Sequence, residues 1–160
     1  MIRHRRFVRD RQGRIRPGLE PTERALLRVL PAQARELVDA EEPSAQRLFP
    51  VAYPGDDQAQ AEYGSMMGGQ LLEHHRRALD ALVASVDDDT VDEDQLSVWL
   101  GAVEVLRLLL GTQLDVSEDH VTVLPQDPRA EQFTVYQYLS MLQGEIVDAL
   151  ARGLPRSTSA

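Results

Sequence analysis

From Pro17-Gly18 onward, apolar positions recur at three- and four-residue steps: Leu26, Leu27, Leu30, Ala34, Leu37 and Val38. That spacing predicts an amphipathic helix opened by Pro21, whose fixed φ suits a first helical turn. Pro31 lies inside the pattern, removes one amide donor and is expected to bend or split the helix near Val29 or Leu30. A second helix is predicted from about 56 to 86, with Tyr63, Met67, Leu71, Ala78, Leu82 and Val86 along one stripe. Gly64, Gly68 and Gly69 each cost about 1 kcal/mol relative to alanine there, so either the helix breaks or a close neighbour demands small residues. The third, from about 92 to 114, is the most apolar. Leu96, Trp99, Leu100, Val103, Leu106 and Leu110 share one face, and Val98, Ala102, Val105 and Leu109 widen the arc past half the circumference. Such a helix is surrounded by others rather than laid on a surface. Thr90 and Glu93 have the spacing of a capping box at its start. The last helix, from about 131 to 152, carries Val135, Leu139, Leu142, Ile146 and Leu150 before Gly153-Leu154-Pro155 stops it.

Ahead of the helices the period changes. Phe7-Val8-Arg9 and Arg14-Ile15-Arg16 flank Asp10-Arg11-Gln12-Gly13, where glycine can supply the positive φ that closes a β-hairpin. Phe7 and Arg9 face one way and Val8 the other, and since two strands alone are marginal in water the hairpin must lean on the rest of the chain. Residues 119–124, bounded by Pro125, have strand character and are a candidate third strand. The stretch 41–55 reads as a linker punctuated by Pro43, Pro50 and Pro54, yet its bulky Leu48, Phe49 and Tyr53 predict docking onto the core. The fold expected is mainly α: four to five helices around a central apolar helix, with a small N-terminal hairpin. In domain terms, residues 1–16 form a hairpin packed on the same domain, 17–153 the helical domain, and 154–160 a disordered tail. No internal repeat is present.

Composition narrows the function classes. At 160 residues with 42% hydrophobic and 27% charged positions, the chain is of ordinary globular make-up and long enough for one core. It has no cysteine, which excludes disulfides, thiolate metal sites and cysteine nucleophiles within it. No run of about 18 apolar residues and no signal-like start are seen, so a cytoplasmic protein is expected. The formal net charge is −9, but the charge is unevenly laid. All 17 basic residues are arginine, and seven of them, Arg3, Arg5, Arg6, Arg9, Arg11, Arg14 and Arg16, lie within the first sixteen positions against Asp10 alone. An acidic body repels nucleic acid over most of its surface, while a compact arginine cluster can still neutralise phosphates or meet an acidic protein. The alternative is a solvated edge whose arginines make weak pairs with their own acidic neighbours.

Candidate chemistry is sparse. Glu73-His74-His75 brings together groups that ligate zinc or move protons, but adjacent helical side chains diverge by about 100°, and the partner at i+4 is missing. A boundary histidine beside a Glu73–Arg77 surface pair is the expected arrangement. The acidic run 87–94 lacks the glycine a calcium loop needs at its turn. Glu104 and Arg107 share the polar strip of the central helix and are expected to form a partly buried ion pair. The chain has no Gly-rich loop with lysine, G-x-S-x-G elbow or dinucleotide fingerprint. An enzyme is disfavoured, and neither a cofactor nor a metal is expected.

Arg47-Leu48-Phe49-Pro50 with Tyr53, then Trp99-Leu100 and Val105-Leu106-Arg107-Leu108-Leu109-Leu110-Gly111-Thr112, then Tyr136, Leu139, Leu142 and Gln143, resemble an actinobacterial family. It was long catalogued as a domain of unknown function, and its members are described as oxidative-stress transcriptional regulators. The resemblance covers nearly the whole chain and rests on packing and loop motifs, with no catalytic residue among them. It implies a non-enzymatic regulatory role. Members are typically encoded beside a Clp-protease adaptor, which implies a link to regulated proteolysis. The family's oxidant sensing is described as running through a cysteine pair, which this sequence lacks; Met66, Met67 and Met141 are oxidisable but of a type that more often fills core gaps. The expectation is therefore a transcriptional regulator without the cysteine switch, using the seven arginines on DNA phosphates or on an acidic protein such as a sigma factor. The rivals are an accessory of Clp-type proteolysis and a metal-dependent hydrolase using His74 or His75. A homodimer is compatible with the pattern, and no membrane contact is expected.

Overall fold

A computed structural model describes residues 5–40, 55–114 and 126–154. Within them the chain runs through β1 (Phe7–Arg9), β2 (Ile15–Pro17), α1 (Pro21–Asp39), α2 (Asp57–Ser85), α3 (Glu93–Gln113) and α4 (Ala130–Arg152). The candidate third strand, the 41–54 part of the linker, His4, His120 and the tail from residue 155 lie outside the described residues.

Helix α3 packs against α1, α2 and α4, as its wide apolar arc requires. Trp99, Leu96, Val103 and Ala102 are sealed in its middle, facing Leu27 of α1, Leu79 and Leu82 of α2, and Leu139, Leu142 and Ile146 of α4. By length and composition α3 is also apolar enough to cross a membrane; in this fold that apolarity is used on three neighbouring helices. The indole N–H of Trp99 donates to Ser85 Oγ at 2.7 Å, and that hydroxyl donates in turn to the Ala81 carbonyl at 2.8 Å. A buried donor is thereby satisfied at the centre of the core.

Three local expectations change. Pro31 does not split α1, which is continuous from Pro21 to Asp39. Its ring belongs to the buried row Leu27, Pro31, Ala34 and Val38, so packing holds both halves in line despite the missing donor. The α2 glycines do not break the helix, which is continuous, and a Cβ at Gly68 or Gly69 would touch nothing within 4 Å among the described residues. The box that opens α3 is Asp92 with Gln95, not Thr90 with Glu93; Asp92 Oδ1 accepts from the Gln95 amide at 2.7 Å and Gln95 Oε1 from the Asp92 amide at 2.9 Å. The reason is that Val91 is still extended and bridged to Ile15, each amide donating to the other's carbonyl at 2.8 Å. The helix can begin only after that bridge.

That bridge also gives the hairpin its support. β1 and β2 pair antiparallel with Val8 opposite Arg16, and the turn closes on Gly13 at φ +82°. Asp10 Oδ1 accepts from the amides of Gln12 and Arg14, both at 2.9 Å. Phe7 and Ile15 point inward, 2% and 0% exposed, and the Phe7 ring meets Trp99 edge-on at 6.5 Å. Hairpin and hub thus share one apolar cluster.

Candidate interaction surface

The hairpin's arginines divide into two sets. Arg6 stands between α1 and α4: its Nε donates to Glu23 at 2.9 Å and its Nη1 to the two oxygens of Glu145 at 2.9 and 3.1 Å. Burial works against its charge, and the carboxylates of Glu145 and Glu23 more than offset that, so the guanidinium is held more firmly protonated than usual. Beside this cluster the Tyr138 hydroxyl is buried near Glu23, with no oxygen or nitrogen of the described residues in good hydrogen-bond geometry to it. Burial first, then the charge of Glu23, pushes its phenol well above the ordinary value. Arg9 donates to Glu93 at 2.9 Å and to the Ala149 carbonyl at 3.2 Å, near the C-terminal end of α4 where a cation suits the helix dipole. Arg14 reaches Thr90, its Nε 2.7 Å from the hydroxyl. Arg6 and Arg9 fasten the hairpin to the helices, and Arg14 fastens it to the segment between α2 and α3.

Arg5, Arg11 and Arg16 are different. All three are exposed and make no ion pair or side-chain hydrogen bond with the described residues. Arg16 lies on the outward face directly opposite Val8, which is 52% exposed. Arg11 is in the turn, and Arg5 precedes β1. Arg3 lies outside the described residues.

Two further arginines, not singled out by the sequence pattern, hold the hairpin's exit and edge. Arg24 donates to the carbonyls of Pro17 at 3.1 Å and Leu19 at 3.4 Å, and also to that of Val86. Arg152 donates to the Phe7 carbonyl at 3.0 Å. Their signal in sequence is only a basic residue amid helical spacing, and their partners are backbone carbonyls, which carry no residue code. Between β1 and α4 runs an open groove of about 990 Å³, with Arg5, Arg6 and Phe7 on one wall and Met141, Glu145, Asp148 and Arg152 among those on the other.

Elsewhere the candidates stay apart. Glu73 and Arg77 pair at 3.1 Å on the surface of α2, and the rings of His74 and His75 sit 5.8 Å apart and steeply inclined. Among the described residues no group of three or more histidines and carboxylates is placed to hold a metal ion. Glu104 and Arg107 do not pair. Arg107 turns toward α4, donating to Ser140 Oγ at 2.8 Å and lying over the Tyr136 ring at 5.3 Å, while Glu104 is exposed. The pairing fails because Arg107 lies at the α3–α4 seam and Glu104 on the solvent side. The acidic run is shared out: Asp87 pairs with Arg28 at 2.5 Å, Asp92 caps α3 and Glu93 binds Arg9.

Residues 4–150 match the family model described as "Domain of unknown function (DUF2017)". The chain belongs to that family. Among its relatives, the oxidative stress regulator AosR of Mycobacterium tuberculosis (strain ATCC 25618 / H37Rv) is 31% identical over 103 residues, 61% of this chain and 47% of the relative. The putative oxidative stress regulator AosR of Mycobacterium leprae (strain TN) is 30% identical over 128 residues, 69% of this chain and 59% of the relative. The chain spans about half the length of the curated relatives it matches. No solved structure matches it. The resemblance read from its motifs is thus borne out, and the relatives' names support a regulatory role for a DUF2017 chain.

Proposed function

We propose that this protein is a non-enzymatic regulator in transcription, working in the cytoplasm, that docks through the cationic outer surface of its hairpin onto an acidic protein such as a sigma factor. One observation carries the reading: Arg16 and Arg11 stand exposed, without carboxylate partners among the described residues, beside the exposed Val8, on a chain whose net charge is −9. Arginines that only balanced their own body would be paired, as Arg6 and Arg9 are. An apolar residue amid cations suits a protein surface, where a buried apolar centre and a charged rim combine. The regulator names of the mycobacterial relatives support the same class of role.

The test is capture of purified RNA polymerase, with and without its sigma factors, by the wild-type chain and by the Arg11→Ser/Arg16→Ser variant. Retention that is lost in the variant supports the reading; equal retention by both removes the outer face of the hairpin as the contact. A parallel titration with duplex DNA at about 50 mM salt decides the other partner class. A few phosphate contacts give a shallow salt slope of about −2 to −3. Saturable binding of that slope, abolished by the same variant while polymerase is not retained, transfers the role to DNA. Capture of a Clp protease subunit instead, with faster substrate turnover, would favour the proteolysis accessory. The hydrolase reading has no geometric support among the described residues.

A further inference from the structure

Among the described residues, the register of the hairpin leaves one sheet edge without a strand partner. Ile15 spends its amide and carbonyl on Val91, on the side away from β1. Its partner Arg9 is therefore in a pair that exchanges no backbone hydrogen bonds, and so is Phe7 opposite Pro17, which has no amide to give. The backbone groups of Phe7 and Arg9 point outward from β1, toward α4. One of them, the Phe7 carbonyl, is held by Arg152; across the groove lie Met141, 43% exposed, and Asp148. The groove's volume, about 990 Å³, is at the upper end of the range for ligand clefts, about 300–1,000 Å³. Among the described residues its cations outlast its internal pairing: Glu145 is taken by Arg6, whereas Arg5 has no partner there and Arg152 only a carbonyl.

Resting on the reading above, we infer that this groove receives an extended acidic segment of the partner protein, which adds as a strand to the open edge of β1 opposite α4. Strand addition supplies main-chain hydrogen bonds, and alternate side chains supply specificity. In an added strand every second residue faces the same way. Carboxylates at one parity meet Arg5 and Arg152, and apolar side chains at the other lie along Met141. The segment's own amide takes over the Phe7 carbonyl, releasing the Arg152 guanidinium to bind a carboxylate. The charge balance favours an acidic occupant over a basic one, since among the described residues Asp148 is the only groove carboxylate without an arginine on it.

The probe is a fluorescein-labelled hexapeptide of alternating valine and glutamate, compared with its valine–lysine counterpart and with a version broken by a central proline. Binding to the ¹⁵N-labelled full chain should move the amides of Arg5, Phe7 and Arg9 and slow exchange of the Phe7 and Arg9 amides at least tenfold. The lysine and proline peptides should bind at least tenfold more weakly, and Arg5→Ser/Arg152→Gln should cost a similar factor. Binding that moves Val8, Arg11 and Arg16 while leaving the β1 edge unchanged would overturn the inference and leave the docking reading intact. So would no binding of the acidic peptide by a chain that still retains polymerase through Arg11 and Arg16. Should the Arg11→Ser/Arg16→Ser variant retain polymerase fully while the peptide protects the Phe7 amide, the outer-face reading fails and the groove stands on its own.

Discussion

Gly13 closes the hairpin at φ +82° with nothing within 4 Å of where a Cβ would stand, so space does not constrain it and backbone conformation does. Gly13→Ala should cost about 1 kcal/mol, the left-handed penalty for an L-residue, read as a lower denaturation midpoint with the helical signal otherwise unchanged. Ser85 acts through a hydrogen bond: Ser85→Ala leaves the buried indole N–H of Trp99 without its acceptor and should cost about 1–3 kcal/mol. Tyr138 adds a pH dependence whose sign follows from its raised phenol value. The fold favours the neutral form, so the contribution is complete below about pH 10, the ordinary tyrosine value, and is lost as pH rises through and beyond it. Melting temperatures measured at pH 9 and at pH 11 should fall more for the wild type than for Tyr138→Phe. An equal fall in both would mean that the other tyrosines carry the alkaline transition.

Among the elements, periodicity made all four described helices legible, because burial on one face is written directly as spacing: Leu139, Leu142 and Ile146 are each 0% exposed in α4. Contacts between elements were not legible. The start of α3 moved two residues beyond the Thr90–Glu93 spacing because Val91 is claimed by Ile15, a pairing 76 positions distant that no local pattern announces. Likewise, the sequence showed a cationic hairpin but could not separate Arg6 and Arg9, which reach carboxylates on α1, α3 and α4, from Arg5, Arg11 and Arg16, which reach none among the described residues. Among the described residues Gly68 and Gly69 meet no neighbour and carry only a propensity cost, so Gly68→Ala and Gly69→Ala should each raise stability by about 1 kcal/mol. Gly153→Ala should act in the opposite direction. A Cβ there would fall on the Arg9 guanidinium and the Glu93 carboxylate. Both are ends of flexible side chains and would move aside, so the expected loss is below about 1 kcal/mol, with faster amide exchange confined to β1 and β2.

At the scale of the whole molecule, these 160 residues hold no cysteine, so under the proposed regulatory role any response to oxidant within them runs through another atom. Among the described residues Met141 offers one. It does not fill a core gap; it is 43% exposed and lines the groove between β1 and α4. Hydrogen peroxide transfers one oxygen to the thioether and leaves as water, turning a flexible apolar contact into a polar one. If the apolar positions of an added strand lie along Met141, oxidation should weaken binding of the valine–glutamate peptide severalfold, while the arginine contacts persist. Peptide mass spectrometry should find the added oxygen at Met141, and methionine sulfoxide reductase should restore the affinity. Met141→Leu, which keeps the volume and removes the sulfur, should bind the peptide as the unoxidised wild type does and show no response to peroxide. A wild-type chain fully oxidised at Met141 with undiminished affinity would place the bound segment away from that side chain, because a sulfoxide buried against valine cannot be neutral in energy.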